Sequence, residues 1–242
     1  MYSAYSAGSG SSSSLTEKTY STLRTEILAC RLRPGQPLRI QQISARLAVS
    51  PGAVREALSR LSAEEFVVSR AQKGFRVAPV QEDDLEDLIR TRIEIESMCL
   101  RRAIEVGGIE WESALVAACH RLNRITAPLD SDEWAHTHAL YHLALVEACD
   151  SAWLLRVRAL LFAQSERYRR LALSRAEGYR DVKDEHRVLT DAALARDANR
   201  ACALLANHLS MTAAMVRSRI QEWRQSAGDR FPEGAGHSRI AL

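Results

Sequence analysis

Between Ile40 and Val67 the chain reads IQQISARLAVSPGAVREALSRLSAEEFV, two short amphipathic segments separated by a very short connection. Ile43 and Leu47 lie one turn apart in the first, and Val54, Leu58 and Leu61 recur at helical spacing in the second. Ser50 followed by Pro51 starts a helix by two independent mechanisms. The serine oxygen accepts from the first free amides, and proline at the first helical position has no N–H to leave unsatisfied. Two helices joined this closely must bury both apolar stripes together, which is the outline of a helix-turn-helix. Arg55 lies off the Val54, Leu58, Leu61 stripe, so it points outward with Ser50 and Arg60, a set suited to a DNA major groove. A generic helical hairpin has the same apolar pattern, and this stretch alone leaves both readings open.

FVVSR, AQKG and FRVAPV follow, two β-prone runs around a turn with Lys73 and Gly74, closed by Pro79. A hairpin directly after a recognition helix reads as a wing whose basic tip reaches phosphates. The plainer reading is that Phe66, Val68, Phe75 and Val77 close the small core. Residues 15–80 hold 11 Lys/Arg against 5 Asp/Glu, a net of +6, whereas the rest hold 22 against 25, a net of −3. A basic head joined to an acidic body fits a nucleic-acid-binding part and a part with another task.

The stretch from Leu38 to Val77, with PG at 34 and 35, VREAL at 54–58 and KGFRV at 73–77, resembles the winged helix-turn-helix of the GntR family of bacterial transcription regulators. Where this chain has SPGAVREAL, members commonly carry SRTPVREAL, so Pro51 and Gly52 replace an arginine that often contacts DNA and its neighbour. The resemblance implies that Arg55 contacts DNA. Gln41 stands where many members have a basic residue.

Bulk properties bound the remainder. At 242 residues and 46% hydrophobic content there is material for two small domains. Five cysteines (Cys30, Cys99, Cys119, Cys149, Cys202) are odd in number and form no CxxC pair, as expected of reduced thiols in a cytoplasmic protein. No run of about 18 apolar residues indicates a membrane span. MYSAYSAGSGSSSS lacks the pattern of a secretion signal and is expected to be a disordered tail. Leu15 to Arg31 is the first expected helix, stopped by RPGQP, and Val80 to Asp83 reads as a linker. Six helical segments follow, at about 84–106, 110–126, 133–149, 151–173, 180–195 and 197–224, separated by GG at 107, APLDSDE, Asp150 with Ser151, Glu177 with Gly178, and Arg196 with Asp197. No β pattern interrupts them. The fold class is mainly α, a winged head at 15–80 followed by an all-helical bundle at 81–226, with flexible tails at 1–14 and 227–242.

Two features of the bundle are out of place on apolar faces. Arg92 and Glu96 fall in the middle of the stripe made by Leu85, Leu88, Ile89, Ile93, Cys99 and Leu100. Burying an unpaired guanidinium is costly, so Arg92 either forms an i,i+4 pair with Glu96 or lines a cavity and receives a carboxylate bidentately. In WAHTHALYHLALVEAC, His138 and His142 share one helix face at a spacing that suits a metal, and His186 and His208 lie on later helices. Four separately satisfied core histidines are the alternative.

Residues 84–224 also resemble the ligand-binding domain of the FCD class of GntR regulators, related to the fatty-acid-responsive repressor. LIRTRIEIE matches a class pattern, here Arg92 and Glu96. Many members bind a divalent metal through an aspartate and a histidine four apart and two later histidines. His142, His186 and His208 match the histidines, and His138 stands where the aspartate usually is. The resemblance implies a metal on His138, His142, His186 and His208, zinc or nickel given an all-nitrogen set, and a small carboxylate or dicarboxylate effector near Arg92 and Glu96. It also implies a homodimer on a palindromic operator. LEDLIRTRIEIE is similar to repressors of dicarboxylate catabolism such as glutarate use. A metal sensor without an organic effector is one rival. A histidine-metal hydrolase is another, but no HExxH or paired ExxH is present.

Overall fold

Ser50 does start a helix: its Oγ accepts from the Ala53 N–H at 3.2 Å, with Pro51 next in line. The computed structural model describes residues 14–70, 74–173 and 181–227. The first elements are α1 (Leu15–Leu28), β1 (Pro37–Leu38), α2 (Ile40–Leu47), α3 (Pro51–Ala63), β2 (Val67–Arg70) and β3 (Gly74–Val77). Ala48 closes α2 in the left-handed region, φ 52°, returning its N–H to the Ser44 carbonyl, so only residues 48–50 separate α2 from α3. The sheet is ordered β1-β3-β2 and is antiparallel, with Leu38 opposite Phe75 and Val67 opposite Val77. Leu23, Ile27, Ile43, Val54, Leu58, Leu61, Phe66 and Val77 are buried, so all three helices and the hairpin share one core.

Three expectations are corrected here. Helix α1 ends at Leu28 rather than Arg31, because Cys30 adopts φ 55° and the Leu32 N–H returns to the Glu26 carbonyl. In the hairpin Val67 faces the core and Val68 is exposed: pairing starts at Val67 with Val77, and strand side chains alternate. Asp83, read as linker, is helical. The expected wing tip at Lys73 lies outside the described residues.

Between Ala78 and Pro79 the chain passes into a second compact unit, to which Leu28–Arg31 also belong. It contains α4 (Glu82–Val106), α5 (Ile109–Arg124), α6 (Asp132–Ala144), α7 (Ala152–Leu173), α8 (Val182–Leu194) and α9 (Ala198–Ala227), with no strand among its described residues. Glu82, Asp83 and Asp84 occupy the first turn of α4, where the helix dipole favours carboxylates, so the helix starts inside the expected linker. Ser131, Ser151, Asp181 and Asp197 each accept a backbone N–H three residues on, which sets the starts of α6 to α9. The expected helix at 133–149 stops at Ala144, where tight turns (Val146 N–H to Leu143, Cys149 N–H to Val146) take over. At the α4–α5 corner a Cβ on Gly107 would meet the Ala103 carbonyl at 2.5 Å and the Trp111 ring at 2.6 Å, so only glycine fits.

Helix α4 packs on α7 and α9, and α5 on α6 and α8. One apolar cluster holds Leu100, Leu115, Leu122, Tyr141, Leu189 and Leu205, and a second holds Leu85, Ile89, Tyr168, Val216 and Ile220. Among the described residues no helix is long and apolar enough to cross a membrane. Ala227, expected to begin the flexible tail at 227–242, is instead the last residue of α9; residues 1–13 and 228–242 of the expected tails and the separator Glu177 with Gly178 lie outside the described residues.

Candidate functional site

On the winged unit the apolar stripe of α3 faces inward and leaves Gly52, Arg55 and Arg60 exposed, as are Ser50 and, on α2, Gln41. Their situations differ. Ser50 is engaged as the cap of α3. Arg60 donates to Glu17 at 2.6 Å and stacks on Tyr20 with its Cζ 4.0 Å from the ring centroid. Gly74 opens β3 with φ 73°, a conformation that suits glycine, and its Cα faces open space.

In the helical unit the four histidines converge. His138 and His142 sit one turn apart on α6, His186 on α8 and His208 on α9, and one nitrogen of each lies within 4.8 Å of those of the others. His138 Nε2 and His142 Nε2 are 3.0 Å apart, close to the ~3.3 Å edge of a tetrahedron built on zinc–nitrogen bonds. All four are buried. Burial first, then the Arg169 guanidinium, holds His138 well below the ordinary histidine range, and burial followed by His138 does the same to His142. Both rings are therefore neutral at pH 7, the form that ligates a metal. His208 Nδ1 lies 2.8 Å from Glu185, which leaves its Nε2 for the cluster, and Trp134 stacks on His138 at 4.5 Å. The donor set fits a metal ion.

A cavity of about 20 Å³ adjoins the cluster, room for one or two water-sized species. Its polar lining comes from His138, His142 and His208, from Arg92 and Thr212, and from Ser165, Glu166, Tyr168 and Arg169 on α7. Arg92 both pairs with Glu96 and lines the cavity. Its Nε donates to Glu96 at 2.7 Å and its Nη1 to Ser165 at 2.5 Å, while Nη2, buried, has no hydrogen-bond partner among the described residues. Glu96 is 1% exposed and does not line the cavity. It stands behind Arg92, with Arg158 Nε 3.4 Å from its other oxygen. Burial alone would raise the Glu96 pKa, but the Arg92 and Arg158 guanidiniums outweigh it and hold the carboxyl below the usual range. The Phe162 ring is close to both cations, its centroid 4.8 and 4.5 Å from the Arg92 and Arg158 Cζ atoms.

Sequence reading missed the contribution of α7. Gln164, Ser165, Glu166, Arg167, Tyr168 and Arg169 are all buried, so the helix is enclosed on every side at that level. A buried polar run resembles a solvated one in sequence. Arginine in place of lysine gave no signal, because the chain has only 3 lysines.

Residues 15–77 match the family described as "Bacterial regulatory proteins, gntR family", and residues 87–211 match the FCD domain. The chain is 41% identical over 210 residues to the uncharacterized HTH-type transcriptional regulator BphR of Paraburkholderia xenovorans (strain LB400), covering 84% of this chain and 86% of that one. It is 39% identical to the HTH-type transcriptional repressor GlaR of Escherichia coli (strain K12), over 78% of this chain and 90% of that one. In fold it is similar to the solved structure of E. coli McbR/YncC, with a TM-score of 0.73, 22% identity and coverage of 86% and 99%.

Proposed function

Because the chain belongs to the GntR family of bacterial regulatory proteins and carries an FCD domain, we propose that it is a ligand-responsive transcriptional repressor in which a small carboxylate, bound at a metal site in the helical domain, controls DNA affinity. The head, residues 15–80, binds a palindromic operator in the cytoplasm as a homodimer, since one helix-turn-helix covers only a half-site. Arg55, Gln41, Ser50, Gly52, Arg60, Lys73 and Gly74 make up its DNA-facing set, with Arg55 reading a base.

The observation that carries the effector reading is an excess of buried positive charge. Arg92 and Arg158 share one carboxylate, Glu96, and Arg92, which lines the cavity, has its buried Nη2 without a hydrogen-bond partner among the described residues. A buried guanidinium left this way is costly, and a ligand carboxylate supplies the missing acceptor. Residues 81–226 form the effector domain. His138, His142, His186 and His208 would hold zinc or nickel. The metal, when bound, supplies a Lewis-acidic position for a carboxylate oxygen. Glu185 fixes the His208 tautomer. Arg92 receives the carboxylate, and Glu96 and Ser165 hold Arg92 in place.

The reading is tested by plasma mass spectrometry of wild type and His142→Ala, paired with operator binding followed by fluorescence anisotropy. About one metal per chain, lost in the variant, with operator binding weakened by carboxylates only in the wild type, is the expected outcome. A metal-free wild type after zinc and nickel are supplied, with native circular dichroism, would remove the metal site from the proposal. A second reading, in which the metal alone is the effector, is favoured by the small cavity. It predicts DNA binding that follows metal occupancy and ignores every carboxylate.

A further inference from the structure

The cavity has a second guanidinium. Arg169 lines it from α7, one helical turn beyond Ser165, the residue that anchors Arg92 Nη1. Arg169 is 7% exposed, and its Cζ lies 4.6 Å from the ring centroid of Trp134, the ring that stacks on His138. Its partner is Glu166, which faces the same cavity and takes Arg169 Nε at 2.8 Å and Nη2 at 2.5 Å. Arg169 Nη1 points to the Leu129 carbonyl at 3.4 Å. Glu166 has an alternative partner already in reach, Arg170 Nε at 3.3 Å.

These contacts set a carboxylate, Glu166, on the very donors that a ligand carboxylate would use. We infer that Arg169 is the anchor for the distal carboxylate of a dicarboxylate effector, with Glu166 as the resident acid that the ligand displaces toward Arg170. The inference rests on the reading that Arg92 receives the first carboxylate. Arg92 comes from α4 and Arg169 from α7, and both line the one cavity, so a short straight dicarboxylate offers each guanidinium one carboxylate. The present cavity, about 20 Å³, is too small for such a molecule, and Glu166 is the side chain whose departure both enlarges it and vacates the second fork. A monocarboxylate gains nothing from Arg169 and leaves Glu166 where it is.

The test is calorimetric titration of the full-length metal-loaded protein with glutarate and with pentanoate, which match in length and differ in the second carboxylate. Wild type is expected to prefer glutarate by about ten- to a hundredfold, the worth of one charge-assisted pair. Arg169→Met should reduce that preference to near unity with pentanoate affinity unchanged, and Arg169→Lys should restore part of it. Glu166→Gln, which keeps shape and removes the competing charge, should tighten glutarate and leave pentanoate as it was. A glutarate preference that survives in natively folded Arg169→Met overturns the inference. So does unchanged glutarate affinity in Glu166→Gln, which decides the matter if Arg169→Met does not fold. Equal binding of both acids by wild type overturns the second anchor and keeps the carboxylate reading of the site. Binding of neither acid overturns both.

Discussion

Two arginines on one carboxylate make Glu96 the most consequential buried residue of the helical unit. Its folded pKa lies below its unfolded one, so in the acid range the unfolded chain binds the extra proton. The stability Glu96 contributes is therefore fully present at neutral pH and is lost as pH falls from about 4.3, the ordinary glutamate value, through the folded value. Urea unfolding from pH 7 to pH 3 should show this loss in wild type and not in Glu96→Gln, whose stability at pH 7 should already be lower by about 3–5 kcal/mol because two guanidiniums are left without a counter-charge. Arg55 presents the opposite case, an exposed side chain to which the proposed function gives a role only with DNA. Arg55→Ala should weaken operator binding by about 1–3 kcal/mol and relax specificity at one base pair. An equal loss on every sequence, with a salt slope shallower by about 1, would mean that it contacts a phosphate instead.

At the scale of elements, α7 connects the cavity to the start of α4. Tyr168 lines the cavity, and its Oη bonds the Asp84 carboxylate and reaches the Gln81 backbone N–H at 3.4 Å, at the point where the chain enters the helical unit. Tyr168→Phe keeps the ring and removes those bonds. It should leave carboxylate affinity nearly unchanged while the coupling between carboxylate and operator, typically about 1–3 kcal/mol in such systems, falls toward zero. Measuring operator affinity with and without saturating ligand gives the coupling directly, and an undiminished value would exclude this tyrosine from the route. The element boundaries were legible where a single residue set them: Ser50 with Pro51, Gly107, and the polar residues before α6, α7 and α9. They were misplaced where long-range packing competed with periodicity, as at Leu28, where Cys30 turns left-handed, and at Ala144, where Leu145, Val146 and Cys149 are buried in turns that periodicity alone reads as helix.

On the scale of the whole molecule, charge is divided between a basic winged unit and an acidic helical one. Operator affinity should fall linearly with the logarithm of salt concentration, with a slope of about −0.9 per phosphate neutralised, and the complex should contain two chains per palindrome by analytical ultracentrifugation. A 1:1 complex of undiminished affinity would argue against the dimer. By itself the sequence determined the helix-turn-helix, the hairpin, the all-helical body and the four histidines, because each is written in local spacing or in a residue type with special chemistry. Only the tertiary structure decided that the histidines from α6, α8 and α9 meet, that Glu96 stands behind Arg92 rather than in the cavity, and that Ser165, Glu166, Tyr168 and Arg169 belong to the site at all. Periodicity reports which side of a helix is apolar. It carries no information about a helix enclosed on every side, where burial comes from the neighbours and polar residues are retained by one another.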